Sequence, residues 1–286
     1  MADNPWLERR VIAYAHQGGA REAPSSTLYA IGQAVERGVP AIELDVHATA
    51  DRQIVVCHDP TLERTTESEG AISKHTLSDL RQLDNSYWFV DGLDVVTGRP
   101  DGDYVFRGRA PSDPDFGIAT LAEVLQRFPG VVLNLDIKAT APEVEPYEEL
   151  LAALLRAHER SDDVIVASFN DAATEAFARY APEVGTSCGT AATAEFYFAA
   201  RSGDPAPEAA TRHVALQVPA TYGETVVVDE EFIAAAHEAG LAVHVWTIDE
   251  RTEMERLVDL GVDGIISDVP SQLLAVLNER DVTWRP

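Results

Sequence analysis

The stretch Ala41–His47, AIELDVH, alternates apolar and polar side chains over most of its length. Successive side chains of a β-strand point to opposite faces of the sheet, so Glu43 and Asp45 would share one face and Leu44 and Val46 the other. In a barrel strand, the polar face would point inward and the apolar face would pack against surrounding helices. This stretch therefore favours a barrel strand that carries two inward carboxylates.

Working outward, short apolar runs rich in β-forming residues alternate with helical patterns along the chain. There are eight such runs: Val11–His16, Ala41–His47, Val131–Lys138, Val164–Phe169, Val184–Cys188, Val214–Val218, Ala242–Ile248 and Gly264–Ser267. This alternation is typical of βαβ units in a parallel sheet, and eight strands are the number that closes a TIM barrel. We therefore predict an α/β fold, a (β/α)8 TIM barrel, with residues 1–286 forming a single domain.

The intervals between the runs carry helical periodicity, with one exception. The predicted helices are Leu28–Glu36, Pro146–His158, Asp171–Tyr180, Asp229–Ala239, Glu250–Leu260 and Pro270–Asn278. The exception is Asp59–Gly117, which is rich in Gly, Pro, Asp, Ser and Thr and shows one helical pattern, around Leu77–Leu83. Because structureless loops of that length are uncommon in compact domains, we predict a small insertion subdomain, residues 59–117, after the second barrel strand.

Composition limits the function classes. The formal net charge of −26 disfavours a nucleic acid or an anionic membrane as partner. No apolar run reaches the length of a membrane span, and residues 1–10 lack the apolar core of a secretion signal, so we expect a cytoplasmic protein without an integral membrane segment. Cys57 and Cys188 lie in separate apolar stretches without metal-site spacing and are expected to be buried free thiols.

The carboxylates indicate a cation. Two like charges buried side by side repel each other, so Glu43 and Asp45 need either a shared proton or a cation between them. Val131–Lys138, VVLNLDIK, repeats the alternation and adds Asp136 as a third carboxylate. Oxygen ligands of this kind suit a hard divalent ion, Mg²⁺ or Ca²⁺. Lys138, on the same face as Asp136, would offer a positive charge to an anionic ligand.

Two histidines are expected beside this cluster. His16 ends the first predicted strand and is followed by Gln17 and two glycines, which allow the backbone to approach a ligand closely. Residues Ile54–His58 resume a β pattern too soon after Ala41–His47 for a crossover helix, which predicts a hairpin. That hairpin sets His58 opposite roughly Glu43 to Asp45, and it delivers an imidazole beside the proposed cation.

Aromatic residues allow two readings. Trp246, near the end of a predicted strand, is our candidate for an apolar wall against a glycerol or lipid group. His244 and the cluster Tyr87-Trp88-Phe89 are at places where aromatic side chains are more often core than ligand wall. The sequence leaves both readings open.

These same residues carry a resemblance to a known family. The motifs are His16-Gln-Gly-Gly, Pro24-Ser-Ser-Thr27, Glu43-Leu-Asp45, Thr49-Ala-Asp51, His58-Asp59, Arg64-Thr-Thr66, Leu135-Asp-Ile-Lys138, Val245-Trp-Thr-Ile248 and Gly261–Asp268. Together, and in this order, the chain resembles the glycerophosphodiester phosphodiesterase family from about Val11 to Leu277. The resemblance implies a TIM barrel with an insertion after the second strand and a metal-dependent hydrolase of small-molecule phosphodiesters, which yields sn-glycerol 3-phosphate and an alcohol.

The resemblance also implies roles, and the chain departs from the family pattern at some of them. His16 and His58 would be the catalytic acid/base pair, and Glu43, Asp45 and Asp136 the metal ligands, with Asp136 where the family usually has glutamate. Gln17 replaces an arginine that contacts the substrate phosphate, and it offers no charge or guanidinium fork. Lys138 and the metal would then carry more of the phosphate charge.

Several alternatives stay open at this point. The attacking group is either water or the glycerol 2-hydroxyl of the substrate, and either histidine can be the base. A second hypothesis is a lysophospholipase D that acts on lysophospholipids, with the aromatic insertion gripping an acyl chain. A hypothesis of another class is a catalytically weak barrel that binds phosphodiesters.

Overall fold

A ring of eight parallel strands forms the centre of the molecule in this computed structural model, which describes residues 4–138 and 147–282. The ring strands are β1 Ile12–His16, β2 Ala41–Ala48, β4 Val132–Ile137, β5 Val164–Ala167, β6 Gly185–Thr186, β7 Ala215–Pro219, β10 Ala242–Trp246 and β11 Gly264–Ser267. They pair in this order, and β11 returns to β1. A bridge between Ser187 and Ala215 joins β6 to β7. The predicted TIM barrel is confirmed.

Two short elements lie outside the ring. Strand β3, Ile54–Val56, pairs antiparallel with β2, and Val56 lies opposite Val46. The backbone amide of Cys57 then donates to the carbonyl of Asp45, which leaves His58 opposite this part of β2, as the hairpin prediction had it. A second antiparallel pair, β8 Thr221–Tyr222 and β9 Thr225–Val226, projects beyond β7.

Helices occupy most intervals between the ring strands. They are α1 Leu28–Glu36, α2 Leu77–Leu80, α3 Leu121–Arg127, α4 Tyr147–Ala157, α5 Asp171–Tyr180, α6 Thr190–Ser202, α7 Glu208–Thr211, α8 Glu230–Glu238, α9 Arg251–Leu260 and α10 Pro270–Glu279. The six helices predicted between the strands agree with the structure within two residues at their ends, except that Pro146 lies outside the described residues. The helical pattern around Leu77–Leu83 is the shorter α2, which ends at Leu80. Thr27 caps α1 by accepting a hydrogen bond from the amide of Ala30, which fixes the helix start close to His16.

Apolar packing separates the inside of the ring from its outside. Inward side chains at the amino-terminal end form one cluster that includes Ile12, Tyr14, Val132, Ile165 and Ile266, and Trp6 packs beneath them. Outward side chains of the same strands pack against the helices in two larger clusters. The lower half of the barrel is therefore a packed core, and its polar groups are left for the carboxyl-terminal end.

Residues 59–117 follow β3 without forming a ring element. They contain α2 and short 3₁₀ turns, and Leu62, Ile72 and Leu80 pack with Val55 and Cys57 in a small apolar cluster. The composition of this segment agrees with the predicted break in the βα rhythm. That the segment is a separate subdomain stays a prediction.

Candidate active site

Neighbouring strands place the predicted polar residues side by side at the carboxyl-terminal end of the barrel. His16 of β1 is in register with Glu43 of β2. On the other side of β2, Asp45 is in register with Asp136 of β4. Because residues in register on parallel strands are nearest neighbours, alternation within β2 and β4 is enough to gather these groups on the inner face. His16, Glu43, Asp45, His58, Asp136 and Lys138 all line one cavity.

His16 is held between two carboxylates. Its Nδ1 lies 2.6 Å from Oδ1 of Asp268, the residue directly after β11, and its Nε2 lies 3.6 Å from Oε2 of Glu43. Burial lowers the pKa of His16, but the hydrogen bond to Asp268 and the charges of Glu43, Asp268 and Asp45 outweigh burial and raise the pKa to about 9. Asp268 therefore orients the ring and favours its protonated form.

His58 has a carboxylate partner of its own. Its Nδ1 lies 2.5 Å from Oδ1 of Asp59, and Oδ2 of Asp59 lies 3.0 Å from Nε of Arg64. The centroids of the His16 and His58 rings are 6.2 Å apart, and the ring planes are nearly perpendicular. Since each ring is held through Nδ1, proton transfer would use its Nε2, which in His16 also lies near Gln17 and Glu43.

A chain of polar contacts through Gln17 and Arg64 links His16 to Asp59, the partner of His58. Nε2 of Gln17 lies 3.1 Å from Nε2 of His16, and Oε1 of Gln17 accepts a hydrogen bond of 3.3 Å from Nη2 of Arg64. Gln17 has a φ of 53°, in the left-handed region that costs an L-residue about 1–2 kcal/mol. It is buried behind His16 and is not in the cavity wall, so its predicted phosphate contact stays a prediction.

The glycines after Gln17 serve packing. A Cβ at Gly18, whose φ is 87°, would come within 2.9 Å of the Ala30 side chain. A Cβ at Gly19 would come within 2.9 Å of Pro270. The expected close approach of backbone to a ligand is therefore, in the structure, a close approach of this turn to α1 and α10.

Lys138 lies across the carboxylates of two neighbouring strands. Its Nζ is 2.8 Å from Oδ1 of Asp45 and 2.6 Å from Oδ2 of Asp136. Burial lowers the pKa of Lys138, but the two carboxylates outweigh burial and raise the pKa above its ordinary value. The positive charge expected to meet an anionic ligand is thus at the cavity wall, where these acids hold it.

The three carboxylates offer oxygens that suit a divalent cation. Three of these buried oxygens have no hydrogen-bond partner among the residues that the structure describes: Oε2 of Glu43, Oδ2 of Asp45 and Oδ1 of Asp136. Burial, reinforced by the charge of Asp45, raises the pKa of Glu43, and burial raises the pKa of Asp136 to about 6. Such oxygens are the donors that a hard cation takes. Within the part of the chain that the structure describes, however, no three His, Cys, Asp or Glu side chains form a ready metal cage.

The cavity has a volume of about 740 Å³ and continues from the polar cluster towards β7 and α6. Trp246 is in its wall, with the Phe169 ring edge-to-face at a centroid distance of 5.5 Å. The Tyr87-Trp88-Phe89 cluster lies elsewhere: Nε1 of Trp88 donates to the Thr66 carbonyl, and the cluster packs within residues 59–117. The cluster is thus not in the wall of this cavity, and the expectation that the aromatic insertion grips an acyl chain stays a prediction.

His244 belongs to the core. It is fully buried against Tyr14 and Trp6, and within the described ranges of the chain neither ring nitrogen has a hydrogen-bond partner. Burial lowers the pKa of His244 to about 4. Cys57 and Cys188 are free and buried, as expected.

Sequence reasoning gave no role to Asp59, Arg64 or Asp268, although all three are in motifs that carry the family resemblance. One signal was available for Asp268, because it directly follows a barrel strand. Phe169, two residues after β5, carried the same signal. Arg64 carried none, since its reach across the site depends on how residues 59–117 fold.

Comparison with known proteins decides the family. The profile of the glycerophosphoryl diester phosphodiesterase family matches residues 16–272. The chain belongs to this family. The family resemblance predicted from the motifs is confirmed, and so is the prediction of an enzyme, a phosphodiester hydrolase.

Relatives of similar length are known. The glycerophosphodiester phosphodiesterase of Caldanaerobacter subterraneus subsp. tengcongensis is 27% identical over 274 residues, covering 94% of this chain and 99% of the relative. The glycerophosphodiester phosphodiesterase of Bacillus subtilis is 26% identical over 268 residues, covering 91% of this chain and 84% of the relative. The match to both relatives therefore extends over nearly the whole glycerophosphodiester phosphodiesterase domain of this chain.

Solved structures share the fold. The glycerophosphoryl diester phosphodiesterase domain of a Mycobacterium tuberculosis protein gives a TM-score of 0.76 at 20% identity, covering 94% of this chain and 99% of that one. An Oleispira antarctica phosphodiesterase, solved with the product sn-glycerol-3-phosphate, gives a TM-score of 0.68 at 22% identity, covering 93% and 96%. No helix among the described residues is long and apolar enough to cross a bilayer.

Proposed function

We propose that this chain hydrolyses glycerophosphodiesters to sn-glycerol 3-phosphate and an alcohol, with His16 and His58 as its acid/base pair. The observation that carries the proposal is that two imidazoles line one cavity, 6.2 Å apart, each held through Nδ1 by its own carboxylate. One ring accepts the proton of the attacking hydroxyl group as the new bond to phosphorus forms. The other gives a proton to the alkoxide as the old bond breaks.

The attacking group is either water or the 2-hydroxyl group of the substrate's glycerol. Water gives the two products directly. The 2-hydroxyl first gives a cyclic phosphate, which water then opens. Phosphorus NMR of the reaction mixture separates the two routes, because only the second shows a cyclic diester.

We further propose that Glu43, Asp45 and Asp136 hold one divalent cation, Mg²⁺ or Ca²⁺. Their three unpartnered buried oxygens support this assignment. When bound, the cation neutralises negative charge that grows on the phosphate oxygens. Lys138 reaches the same cavity and supplies a second positive charge to the phosphate, and Trp246 forms the apolar wall. Gln17 contacts His16 from outside the cavity wall and supports that ring.

The relatives support the substrate class. Two relatives that match more than nine-tenths of this chain are named glycerophosphodiester phosphodiesterases. The Oleispira antarctica phosphodiesterase that shares the fold was solved with sn-glycerol-3-phosphate as product. The same product is expected from a glycerophosphodiester in this cavity.

The acid/base pair is tested with His16→Ala and His58→Ala on glycerophosphocholine. Because positioned acids and bases contribute about 10² to 10⁴ to the rate, each variant should lose at least a hundredfold in kcat. His158→Ala, a histidine that directly follows α4 and does not line the cavity, is the matched control and should keep wild-type turnover. If both site variants stay within tenfold of wild type, the paired mechanism is wrong.

The cation is tested by exhaustive chelation followed by addition of Mg²⁺, Ca²⁺ or Mn²⁺. Chelation should abolish turnover, and Mg²⁺ or Ca²⁺ should restore it. Asp45→Asn should raise the cation concentration needed for half-maximal turnover, because one anionic ligand is lost. Full activity in chelator would contradict the assignment of these carboxylates.

A further inference from the structure

The cavity has a second, apolar half that a small polar diester does not use. Beyond the polar cluster its wall is mostly aromatic and aliphatic, with Thr190, Thr193 and Thr225 among the lining residues. We call this half the apolar arm and define it by Phe169, Tyr197, Phe198, Pro219, Tyr222 and Trp246. Its members come from the loop after β5, helix α6, strand β7, the β8–β9 hairpin and the end of β10. Five separate elements thus contribute apolar groups to one continuous surface.

Exposure of these residues is concentrated at the mouth of the arm. The large hydrophobic side chains exposed in the described chain are Leu93, Val105, Phe169, Phe198, Tyr222 and Val226. Three of the six line the arm, at 59%, 67% and 80% exposure for Phe169, Phe198 and Tyr222, and Val226 lies on the same hairpin as Tyr222. A contiguous exposed apolar patch of this kind marks a ligand-binding or interaction surface.

The arm is continuous with the phosphate end of the site. The Lys138 ammonium lies 5.7 Å from the centroid of the Phe169 ring. Phe169 in turn contacts Trp246 edge-to-face. A phosphodiester whose phosphate meets Lys138 therefore directs one of its substituents along these rings.

The chemistry of the arm selects the substituent. Glycerol carries hydroxyl groups, which lose hydrogen bonds to water when they are placed against aromatic walls. Methylene groups gain from the same contact, by roughly 0.8 kcal/mol for each one fully buried, which is about fourfold in affinity. The net charge of −26 opposes docking on an anionic bilayer, so a single dispersed molecule with a zwitterionic headgroup is the matching ligand.

We propose that the apolar arm binds the hydrocarbon chain of a monoacyl or monoalkyl glycerophosphodiester, so that lysophospholipids are the preferred substrates of this site. The inference rests on the proposed function and deepens it. Water supplies the oxygen that bonds to phosphorus, the bond between phosphorus and the headgroup oxygen breaks, and the headgroup alcohol leaves with a proton. The other product is a monoacyl glycerol phosphate.

The test is a chain-length series at one headgroup, from glycerophosphocholine through its butanoyl, octanoyl and lauroyl monoesters, all below their micellar concentrations. We expect kcat/KM to rise about two- to fourfold for each added methylene until the arm is filled. The increase in kcat/KM should come mainly from a lower KM, because the hydrocarbon chain is bound equally in the ground state and the transition state. An equal kcat/KM along the series, with glycerophosphocholine hydrolysed, overturns the arm and leaves the proposed function standing.

Variants locate the effect. In Phe198→Ala and Tyr222→Ala, the ratio of kcat/KM for the lauroyl ester to that for glycerophosphocholine should drop at least tenfold. Both side chains are largely exposed, so the fold should tolerate the change. Val105→Ala, equally exposed but outside the cavity, is the matched control and should keep the wild-type ratio. A wild-type ratio in both arm variants overturns the assignment.

A binding measurement tests the apolar arm even if the protein hydrolyses none of the diesters. Binding is measured by tryptophan fluorescence in wild type and in His16→Ala. In both, dodecylphosphocholine should bind at least a hundredfold tighter than phosphocholine. Absence of turnover on every diester together with this binding difference rejects the proposed function and keeps the arm. A preference for glycerophosphocholine over glycerophosphoglycerol without any chain effect assigns the aromatic wall to the headgroup and overturns the inference.

Discussion

Asp268 controls the charge of His16, because it accepts a short hydrogen bond from the ring and keeps the pKa of His16 at about 9 against the effect of burial. In Asp268→Asn the contribution of Asp268 is lost, while burial and the raising charges of Glu43 and Asp45 remain, so the pKa of His16 should fall. We expect the inflection that belongs to His16 in the pH profile of kcat/KM to move to lower pH.

Which limb of the pH profile moves also assigns the roles of the two histidines. If His16 is the acid, the alkaline limb of the profile moves down. If it is the base, the acidic limb moves down. Two unmoved limbs would contradict the view that Asp268 sets the protonation of His16.

Arg64 is a positioning residue in this structure, since one guanidinium contacts both Asp59 behind His58 and Gln17 behind His16. A lysine keeps the charge and lacks the planar fork that reaches two partners at once. We expect Arg64→Lys to lower kcat about tenfold with little change in KM. Arg99→Lys, whose guanidinium pairs with Asp103 on the surface, is the control. A change confined to KM would show that Arg64 acts on substrate binding instead.

At the residue scale, the sequence predicted which groups meet but not how they pair. Alternation placed Asp45, Asp136 and Lys138 on one face, and register brought them together. That Lys138 lies between the two carboxylates follows from side-chain torsions, which no residue pattern specifies. Gln17 shows the same limit, because its left-handed backbone turns the side chain towards His16 and away from the cavity.

Strand β10 carries a buried histidine whose pKa gives the fold a pH dependence. His244 titrates at about 4 in the folded chain and at about 6.5 when unfolded. Below pH 6.5, His244 binds a proton in the unfolded chain but stays neutral in the folded chain. The free energy of unfolding is therefore unaffected by the protonation of His244 above pH 6.5 and falls as the pH drops towards 4. The loss from this residue between pH 8 and pH 5 is about 2 kcal/mol.

His244→Leu removes that titration while keeping the site apolar. Urea unfolding at pH 8 and pH 5 should show a smaller difference in the free energy of unfolding for the variant than for wild type, by about 2 kcal/mol. His158→Leu, outside the core, should leave the wild-type difference in place. Equal pH dependence in wild type and His244→Leu would mean that the buried ring is charged or solvated.

Elements were predictable where their periodicity was strong. The ring strands and helices such as Leu28–Glu36 were predicted within a few residues, because burial on two faces or one stripe leaves a clear pattern. Helices α3, α6 and the short α7 were missed. Helix α6, Thr190–Ser202, buries Ala192 and Phe196 but has aromatic side chains on its exposed side, so its apolar stripe is indistinct. Those same aromatic side chains form part of the apolar arm.

For the whole molecule, the eight strand-like runs in the sequence predicted the barrel architecture. The interruption of the strand–helix alternation at Asp59–Gly117 predicted the position of the largest irregular segment. Composition did not indicate the apolar arm. Its residues are spread from Phe169 to Trp246, and only closure of the ring brings them to one mouth. A surface assembled from five elements leaves no local signal in the sequence.

The ring of strands is unequally bonded around its circumference. Strands β2 and β4 pair over six residues each, whereas β6 has two residues and meets β7 through one bridge. Backbone amides around Thr186 and Ser187 should therefore exchange with deuterium well before those of Leu44 and Leu135, and mass spectrometry of peptic fragments would show the order. Since Cys188 and Gly189 at this weak joint also line the cavity, local opening there would widen the binding site without unfolding the acid cluster on the opposite strands.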